Sequence, residues 1–340
     1  MPRLHPRRLL TVGSIVADMR IEVPHLPPRG GDVVGTGFSV SAGGGFNVLC
    51  AAARNGLPCV FAGRHGTGPQ GDRIRADLAR EGIAALLAPS PEGDSGFCLV
   101  MVEPDGERSF VTSPGVEARL GGRKLAGLTL QPHDVVFISG YDLSYRELGR
   151  EIASWVGRWR GETLLVVDPG PLVRDIPGDI LDAMLGRAGI LTLNRREAGL
   201  LSAAQDLDGI AAAIVPRLAA DALLIIRDGP QGCFLFGAGL PDPPVHVGAP
   251  EVEALDSTGA GDTHTGVIVA AMAAGLDPIA AATRANAAAA ISVTRRGPAT
   301  APAKKELDAF LRTWSRCQAR PSGGARPYEP ATINNGETTP

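Results

Sequence analysis

Short apolar runs alternate with segments of helical period along most of this chain. The runs are "LLTVGSIV", "PCVFAG", "DVVFISG", "TLLVVD", "GILTLN" and "ALLIIRD". Between most of them lie "FNVLCAAARNG", "GDRIRADLAREG", "YRELGREIASWVGRW" and "REAGLLSAAQ", whose apolar positions recur at helical spacing. A strand that is apolar at nearly every position is covered on both faces, and strands separated by helices pair in parallel. The pattern therefore predicts an α/β fold: a doubly wound, mostly parallel sheet with helices on both faces.

Two stretches break the rhythm. "GDVVGTGFSVSAGG" reads as short strands with polar alternation, and "SGFCLVMVEPDGERSFVTS" as a β-hairpin turning at Pro104-Asp105-Gly106. Neither has a helix beside it. Both are expected in a small sheet projecting from the main domain as a lid, with strands from about 20–42 and 96–113; an ordinary surface hairpin is the plainer alternative. The lid's exposed strands suggest a homodimer through that sheet. One domain is expected over residues 1–315. Residues 318–340, polar, Pro/Gly-rich and without period, are expected to be a disordered tail.

The totals exclude several classes. Of 340 residues, 44% are hydrophobic and 20% charged, as in a soluble globular protein. The net charge of −3 and the lack of a long basic stripe argue against nucleic acid. No uninterrupted apolar stretch has bilayer-spanning length, so no membrane partner is expected. The basic, then apolar start runs into Asp18 and Arg20 and reads as a first strand rather than a signal peptide. Five cysteines without a CxxC read as thiols in a reducing cytoplasm.

Two glycine-rich motifs could carry chemistry. "GTGPQG", residues 66–71, formally matches the GxGxxG of a dinucleotide site; the bland reading is a loop entering a helix. No GxxxxGK[ST] occurs. "LDSTGAGDTHTG", residues 255–266, precedes the apolar run "VIVAAMAAGL" and so opens a helix. The first N–H groups of a helix lack internal partners and sit at the positive end of its dipole. Glycines there let an anion come close, such as a phosphoryl group in transfer. Asp262, in the first turn, could take the proton of an attacking alcohol, or could simply cap the helix. On these residues alone both readings stand.

"DSTGAGD" resembles the DTxGAGD signature of the ribokinase, or PfkB, carbohydrate kinases. "SAGGGFNVLCAAARNG" resembles that family's N-terminal glycine signature, "LNRREAG" its N-x-x-E motif, and "GFCLVMVEPDGERSF" its lid hairpin. "AAAAISVTRRGPATAP" is similar to the segment after the signature helix. The matches keep the family's order over about residues 8–315. The resemblance implies Asp262 as catalytic base and Gly259, Ala260 and Gly261 as the anion hole. It implies that Asp18, Gly43, Gly44 and Asn47 bind sugar hydroxyls. Asn194 and Glu197 fall where the family orders Mg²⁺, water and nucleotide phosphates, with Glu197 acting on the metal through water. Arg227, Gly229 and Gly232 match the loop along ATP, and Asn286 a position near adenine. Asp256, Ser292, Arg295 and Gly297 match a loop that in many relatives holds a monovalent cation such as K⁺, largely through carbonyls.

The chain also departs from the family pattern. Ala42 replaces the first glycine of the usual pair. Ser257 stands for Thr, and His264, read as a packing residue, for Phe. Arg227-Asp228 replaces an apolar or Thr-Leu pair. "FISGYDL" lacks an acidic residue that some ribose-specific members carry. Phosphate binding is expected to need no lysine. The expected activity is ATP-dependent phosphorylation of a sugar or sugar-containing metabolite. A nucleoside is the alternative acceptor, with only Phe46 and Tyr141 near the pocket as candidates to stack a base. From other classes, a dinucleotide-dependent oxidoreductase and a non-catalytic sugar sensor remain, although an intact Asp262 argues against the sensor.

Overall fold

Main-chain direction is set by where the apolar runs end. A computed structural model describes residues 6–119, 121–159, 162–237, 240–241 and 244–318. In chain order the strands are β1 (Arg8–Thr11), β2 (Ile15–Glu22), β3 (Gly37–Gly44), β4 (Cys59–Phe61), β5 (Ala84–Ala85), β6 (Phe97–Val102) and β7 (Arg108–Ser113). They continue as β8 (Asp134–Ser139), β9 (Leu164–Asp168), β10 (Ile190–Asn194), β11 (Leu223–Arg227), β12 (Cys233–Gly237) and β13 (Val245–Val247). The helices are α1 (Gly45–Arg54), α2 (Pro69–Arg80), α3 (Gly122–Ala126), α4 (Gly140–Ser144), α5 (Arg146–Gly157) and α6 (Gly178–Leu185). After them come α7 (Arg195–Ser202), α8 (Leu207–Ile214), α9 (Ala260–Ala273), α10 (Pro278–Val293) and α11 (Lys304–Gln318).

Among the described residues the central sheet runs β13-β12-β11-β10-β9-β8-β1-β4-β5. Its pairs from β11 to β5 are parallel. Alternate residues of one strand feed two cores. Val135 and Phe137 of β8 pack with Leu49 of α1 and Ile268 of α9; Val136 and Ile138 pack with Ile152 and Trp155 of α5. Burial on both faces is why these runs show no polar alternation. Strands β12 and β13 add an antiparallel edge that the sequence reading did not foresee. Gly266 lets α9 lie against α1, since a side chain there would meet the Val48 carbonyl.

The small sheet has the order β3-β2-β6-β7, with β2 and β6 parallel and the outer pairs antiparallel. Its hairpin turns where expected, the Gly106 N–H donating to the Glu103 carbonyl at 2.9 Å.

Three expectations are corrected. "LLTVGSIV" is not one strand: it divides between β1 of the large sheet and β2 of the small one. The cause is Asp142 of α4, whose Oδ1 accepts the Ser14 N–H at 2.6 Å and whose carboxylate occupies the space a side chain at Gly13 would need. The lid strands start earlier than expected, at Ile15, and residues 23–36 form no strand. Helix α11 continues to Gln318, past the expected end at 315; the tail expected beyond it lies outside the described residues. Among the described residues no single helix is long and apolar enough to cross a membrane.

Candidate active site

Parallel strands direct their carboxyl ends to one edge of the sheet, where ligands of open α/β folds bind. Three neighbouring strands end there in polar residues: Asp168 on β9, Asn194 on β10 and Arg227 on β11. Asn194 and Arg227 are register partners. The Arg227 guanidinium lies 2.9 Å from Asp168 Oδ2 and 3.6 Å from Glu197 Oε2. Burial opposes the charge on Arg227, but Asp168 and Glu197 more than offset it. Asn194 and Glu197 form a capping box on α7: Asn194 Oδ1 accepts the Glu197 N–H at 2.9 Å and Glu197 Oε2 accepts the Asn194 N–H at 2.8 Å. Burial pushes the Glu197 carboxyl up, and the charge of Asp168 adds to it.

Helix α9 begins beside these strand ends. Gly259, at its N-cap, has φ +73° and sits against the Pro298 carbonyl, so only glycine fits. The Ala260 N–H donates to the Ser257 carbonyl at 3.3 Å. Gly261 and Asp262 follow, too early in the helix for a carbonyl one turn back. A Cβ on Gly261 would lie 2.8 Å from Arg227 Nη1, so the guanidinium stands in front of this turn. Arg227 was expected along a loop; it is instead the end of a strand, aimed at the glycine turn and at Thr265 Oγ1, 3.4 Å away. Asp262 does not cap the helix through its side chain. Its Oδ2 accepts from Asn47 Nδ2 at 2.9 Å. Burial pushes the Asp262 carboxyl up to about 6; Asn47 and Arg227 oppose the rise, and Asp168 adds to it.

The small sheet supplies the opposite wall. Asp18 projects from β2 over Gly43 of β3, and its carboxylate fills the space of any side chain at 43. Gly44, with φ +64°, turns the strand into α1 and places Asn47 in the first turn of that helix. Burial pushes the Asp18 carboxyl up to about 7, with the charge of Asp262 adding to the shift. Asn47 is buried, and its Oδ1 has no protein partner. Asp18, Gly43, Gly44, Asn47 and Asp262 thus come together with Asn194, Glu197 and Arg227 around one cleft.

The more distant expectations divide. Gly229 and Gly232, with φ +55° and +92°, shape the β11–β12 turn, which Asp228 fastens to Arg195 at 2.9 Å. Asn286 is buried. Its Nδ2 donates to the Val247 and Gly248 carbonyls and its Oδ1 meets His264 Nε2 at 3.1 Å. Both N–H groups of its amide are thus spent on the 247–248 backbone. His264 is held neutral, pushed down to about 3 by burial and then by Arg227, as suits a packing residue.

The loop expected to take a monovalent cation is tied together by protein groups. Asp256 Oδ1 accepts from the Thr258 N–H at 2.9 Å and its hydroxyl at 2.6 Å, and Oδ2 accepts from the Gly297 N–H at 3.0 Å. Arg108 of β7 adds an ion pair to Asp256 Oδ1 at 2.9 Å. Burial would raise this carboxyl, but these partners hold it below the usual range. The Ser292 carbonyl accepts the Thr300 hydroxyl at 3.1 Å. Arg295 turns away, donating to the Thr300 carbonyl and pairing with Glu306.

The dinucleotide alternative loses its anion site. The N–H groups of Gly68, Gln70 and Gly71, at the start of α2, donate to the Asp94 carboxylate at 3.1, 2.9 and 2.8 Å. A protein carboxylate thus sits where a pyrophosphate would bind.

Sequence reasoning missed Asp168, Asp142, Asp94 and Arg108. Asp168 had a signal, a carboxylate ending the apolar run "TLLVVD"; the other three act on segments remote in sequence. Among the described residues no three His, Cys, Asp or Glu side chains form a metal cluster. Asp168 and Glu197 are nonetheless a carboxylate pair suited to a hydrated divalent cation, which Mg²⁺ prefers to an all-protein cage.

This fold is that of a family of small-molecule kinases. The family profile described as pfkB family carbohydrate kinase matches residues 6–305. An uncharacterised sugar kinase of Escherichia coli K12, YegV, is 32% identical over 313 residues, covering 90% of this chain and 95% of that protein. Ribokinase from Thermotoga maritima superposes with a TM-score of 0.74 at 23% identity, over 90% of this chain and 99% of that one. Aminoimidazole riboside kinase from Salmonella enterica, solved with aminoimidazole riboside and an ATP analogue, gives 0.74 at 21% identity, over 89% and 99%. At such identities the structural likeness is one of fold. The chain belongs to the pfkB family of carbohydrate kinases.

Proposed function

We propose that this chain is an ATP-dependent kinase that moves the γ-phosphoryl group to a hydroxyl of a sugar or sugar-containing metabolite. The observation that carries this reading is the placement of Asp262. A carboxylate raised to about 6 stands one residue beyond a bare glycine turn, opposite the Asp18 carboxylate.

The chemistry follows from the parts. Asp18 and the free Oδ1 of Asn47 accept hydrogen bonds from acceptor hydroxyls and orient them. Asp262 takes the proton of the reacting hydroxyl as its oxygen bonds to the γ-phosphorus. The bond from that phosphorus to the bridging oxygen breaks, and ADP leaves. The amides of Gly261 and Asp262, at the positive helix end, stabilise the charge spreading over the transferred group. Arg227 faces the same turn and adds a fixed cation, so the hole is not backbone alone. Asp168 and Glu197 would hold Mg²⁺, which supplies further charge neutralisation on the phosphates when bound. The small sheet acts as a lid that excludes water, because an open site would hydrolyse ATP.

A nucleoside acceptor is the second reading. Phe46, one of the two aromatics counted for stacking, is 4% exposed and lies in the core. Tyr141 is 45% exposed, and Phe110, 57% exposed, lies on the Asp18 face of the small sheet by strand register. Two available aromatics keep a base within reach. On the opposite face, Phe38 and Val111 are exposed and share it with Ile21 and Leu99; this is the surface for a homodimer. ATP consumption across a panel of monosaccharides and nucleosides tests the assignment, with Asp262→Asn as control. Turnover by wild type and a loss of about three orders of magnitude in the variant are expected; near-equal rates refute the role of Asp262.

A further inference from the structure

The small sheet and the glycine turn are joined by one side chain. Arg108 is the first residue of β7, next in register to Val102, which pairs with Glu22. This row lies on the sheet face that also carries Asp18. From there the Arg108 guanidinium crosses to the loop before α9. Nη1 pairs with Asp256 Oδ1 at 2.9 Å and also meets the Thr258 hydroxyl; Nη2 donates to Ser257 Oγ at 2.7 Å. Three consecutive residues, ending next to Gly259, are clasped by one planar fork, a geometry an ammonium could not reproduce.

The same contacts crowd the carboxylate beside which a monovalent ion of this loop would sit. A carboxylate offers about four lone-pair sites. In Asp256, Oδ1 takes three donors, the Thr258 N–H, the Thr258 hydroxyl and Arg108, and Oδ2 accepts the Gly297 N–H. The Val293 carbonyl already accepts from the Leu255 and Asp256 N–H groups at 2.7 and 3.0 Å. A K⁺ ion on Asp256 Oδ1 would have to displace a guanidinium of the same charge. A second link from the small sheet, Glu22 to Arg296 in the loop after α10 at 3.4 Å, is exposed and adds little.

We propose that Arg108 is the built-in cation of the anion-hole loop, a positioning residue that fastens the lid to the Asp256–Thr258 segment and makes a bound monovalent ion unnecessary. The proposal rests on the kinase reading for its catalytic consequence. When the lid is docked, the glycine turn is held in shape; when it is not, Asp256 loses its counter-charge. Acceptor capture by Asp18 and formation of the phosphoryl cradle are thereby coupled through one sheet.

The test uses the full chain as wild type, Arg108→Ala and Arg108→Lys, in chloride salts of K⁺, Na⁺ and tetramethylammonium. Wild type is expected to show the same kcat and the same Tm in all three. Arg108→Ala is expected to lose about a hundredfold in kcat with little change in the KM for ATP, a misplaced cradle being costly to the chemical step. K⁺, and not tetramethylammonium, should restore part of its kcat and raise its Tm. Arg108→Lys should fall between. Should Arg108→Ala fail to fold, Arg108→Gln takes its place with the same K⁺-specific gain expected. K⁺ activation or stabilisation of wild type, or no K⁺-specific effect on the uncharged variant, overturns the proposal. If no acceptor supports ATP turnover, the kinase reading fails, while the Tm comparison still decides the role of Arg108.

Discussion

Asn47 donates its side-chain amide to the Asp262 carboxylate at 2.9 Å, tying the first turn of α1 to the first turn of α9. The bond stabilises the ionised form of Asp262 against a burial that favours the neutral one. A general base must be ionised to act, so kcat/KM should rise with pH through about 6 and then level. Replacing Asn47 with Leu removes the donor, and the acidic limb should move to higher pH. An unmoved limb in a kcat/KM profile would sever the two residues functionally. Asp262→Asn should lose about three orders of magnitude in turnover and still bind ATP in a nucleotide-displacement titration.

The paired acids also set a pH dependence of stability. Asp18 and Asp262 have their carboxyls raised from 3.8 to about 7 and about 6. The folded state therefore holds these protons more tightly than the unfolded chain does. Stability from this source is present below about 4 and is lost as pH rises through about 6 to 7. Asp18→Asn should flatten that fall, making the ligand-free protein more stable than wild type at pH 8 relative to pH 5. Urea denaturation at the two pH values measures it; an unchanged difference would contradict the burial of charge at Asp18.

The two glycines of the turn should fail in different ways. Gly259→Ala forces a β-carbon onto the Pro298 carbonyl at positive φ. It should lower stability by about 1–3 kcal/mol, visible as a fall in Tm. Gly261→Ala meets the Arg227 guanidinium rather than main chain. Its Tm should stay near wild type while kcat falls about a hundredfold. Equal thermal losses in both variants would argue against this division.

Arg227 answers two buried carboxylates at once. Arg227→Met should destabilise by about 3–5 kcal/mol, since the two buried acids left behind lose their counter-charge. Adding Asp168→Asn should recover part of that stability but none of the turnover, as the cation facing Gly261 remains missing. Recovery of turnover in the double variant would reduce Arg227 to a structural role. Calorimetry and ATP turnover on the same preparations separate the two.

The large sheet was legible because burial on both faces leaves its mark on every residue of a strand such as "TLLVVD". The small sheet was legible through its hairpin turn, though its start was not. Nothing local announces that the chain leaves one sheet for the other at Gly13, because the agent, Asp142, lies on α4, far along the chain. The residues that a helix start or a glycine pair marks in sequence, Asp262, Gly43 and Asn47, lie close together, Asn47 bonded to Asp262 and Asp18 standing over Gly43. Residues that act by reaching across, such as Arg108 to Asp256 and Asp94 to the start of α2, have no local signature. The same limit explains Asn286: its sequence neighbours do not reveal that His264 and two carbonyls bind its amide.

Asp18 rides on the small sheet, whereas Asp168, Asn194 and Arg227 terminate strands of the large one. On the proposed function, acceptor choice and phosphate handling would reside on separate pieces of main chain, joined near Gly13 and clasped by Arg108. Selection can remodel the first piece without disturbing the second. Grafting the β2–β3 and β6–β7 ribbons of a relative onto this scaffold should exchange the preferred alcohol while leaving the nucleotide requirement intact.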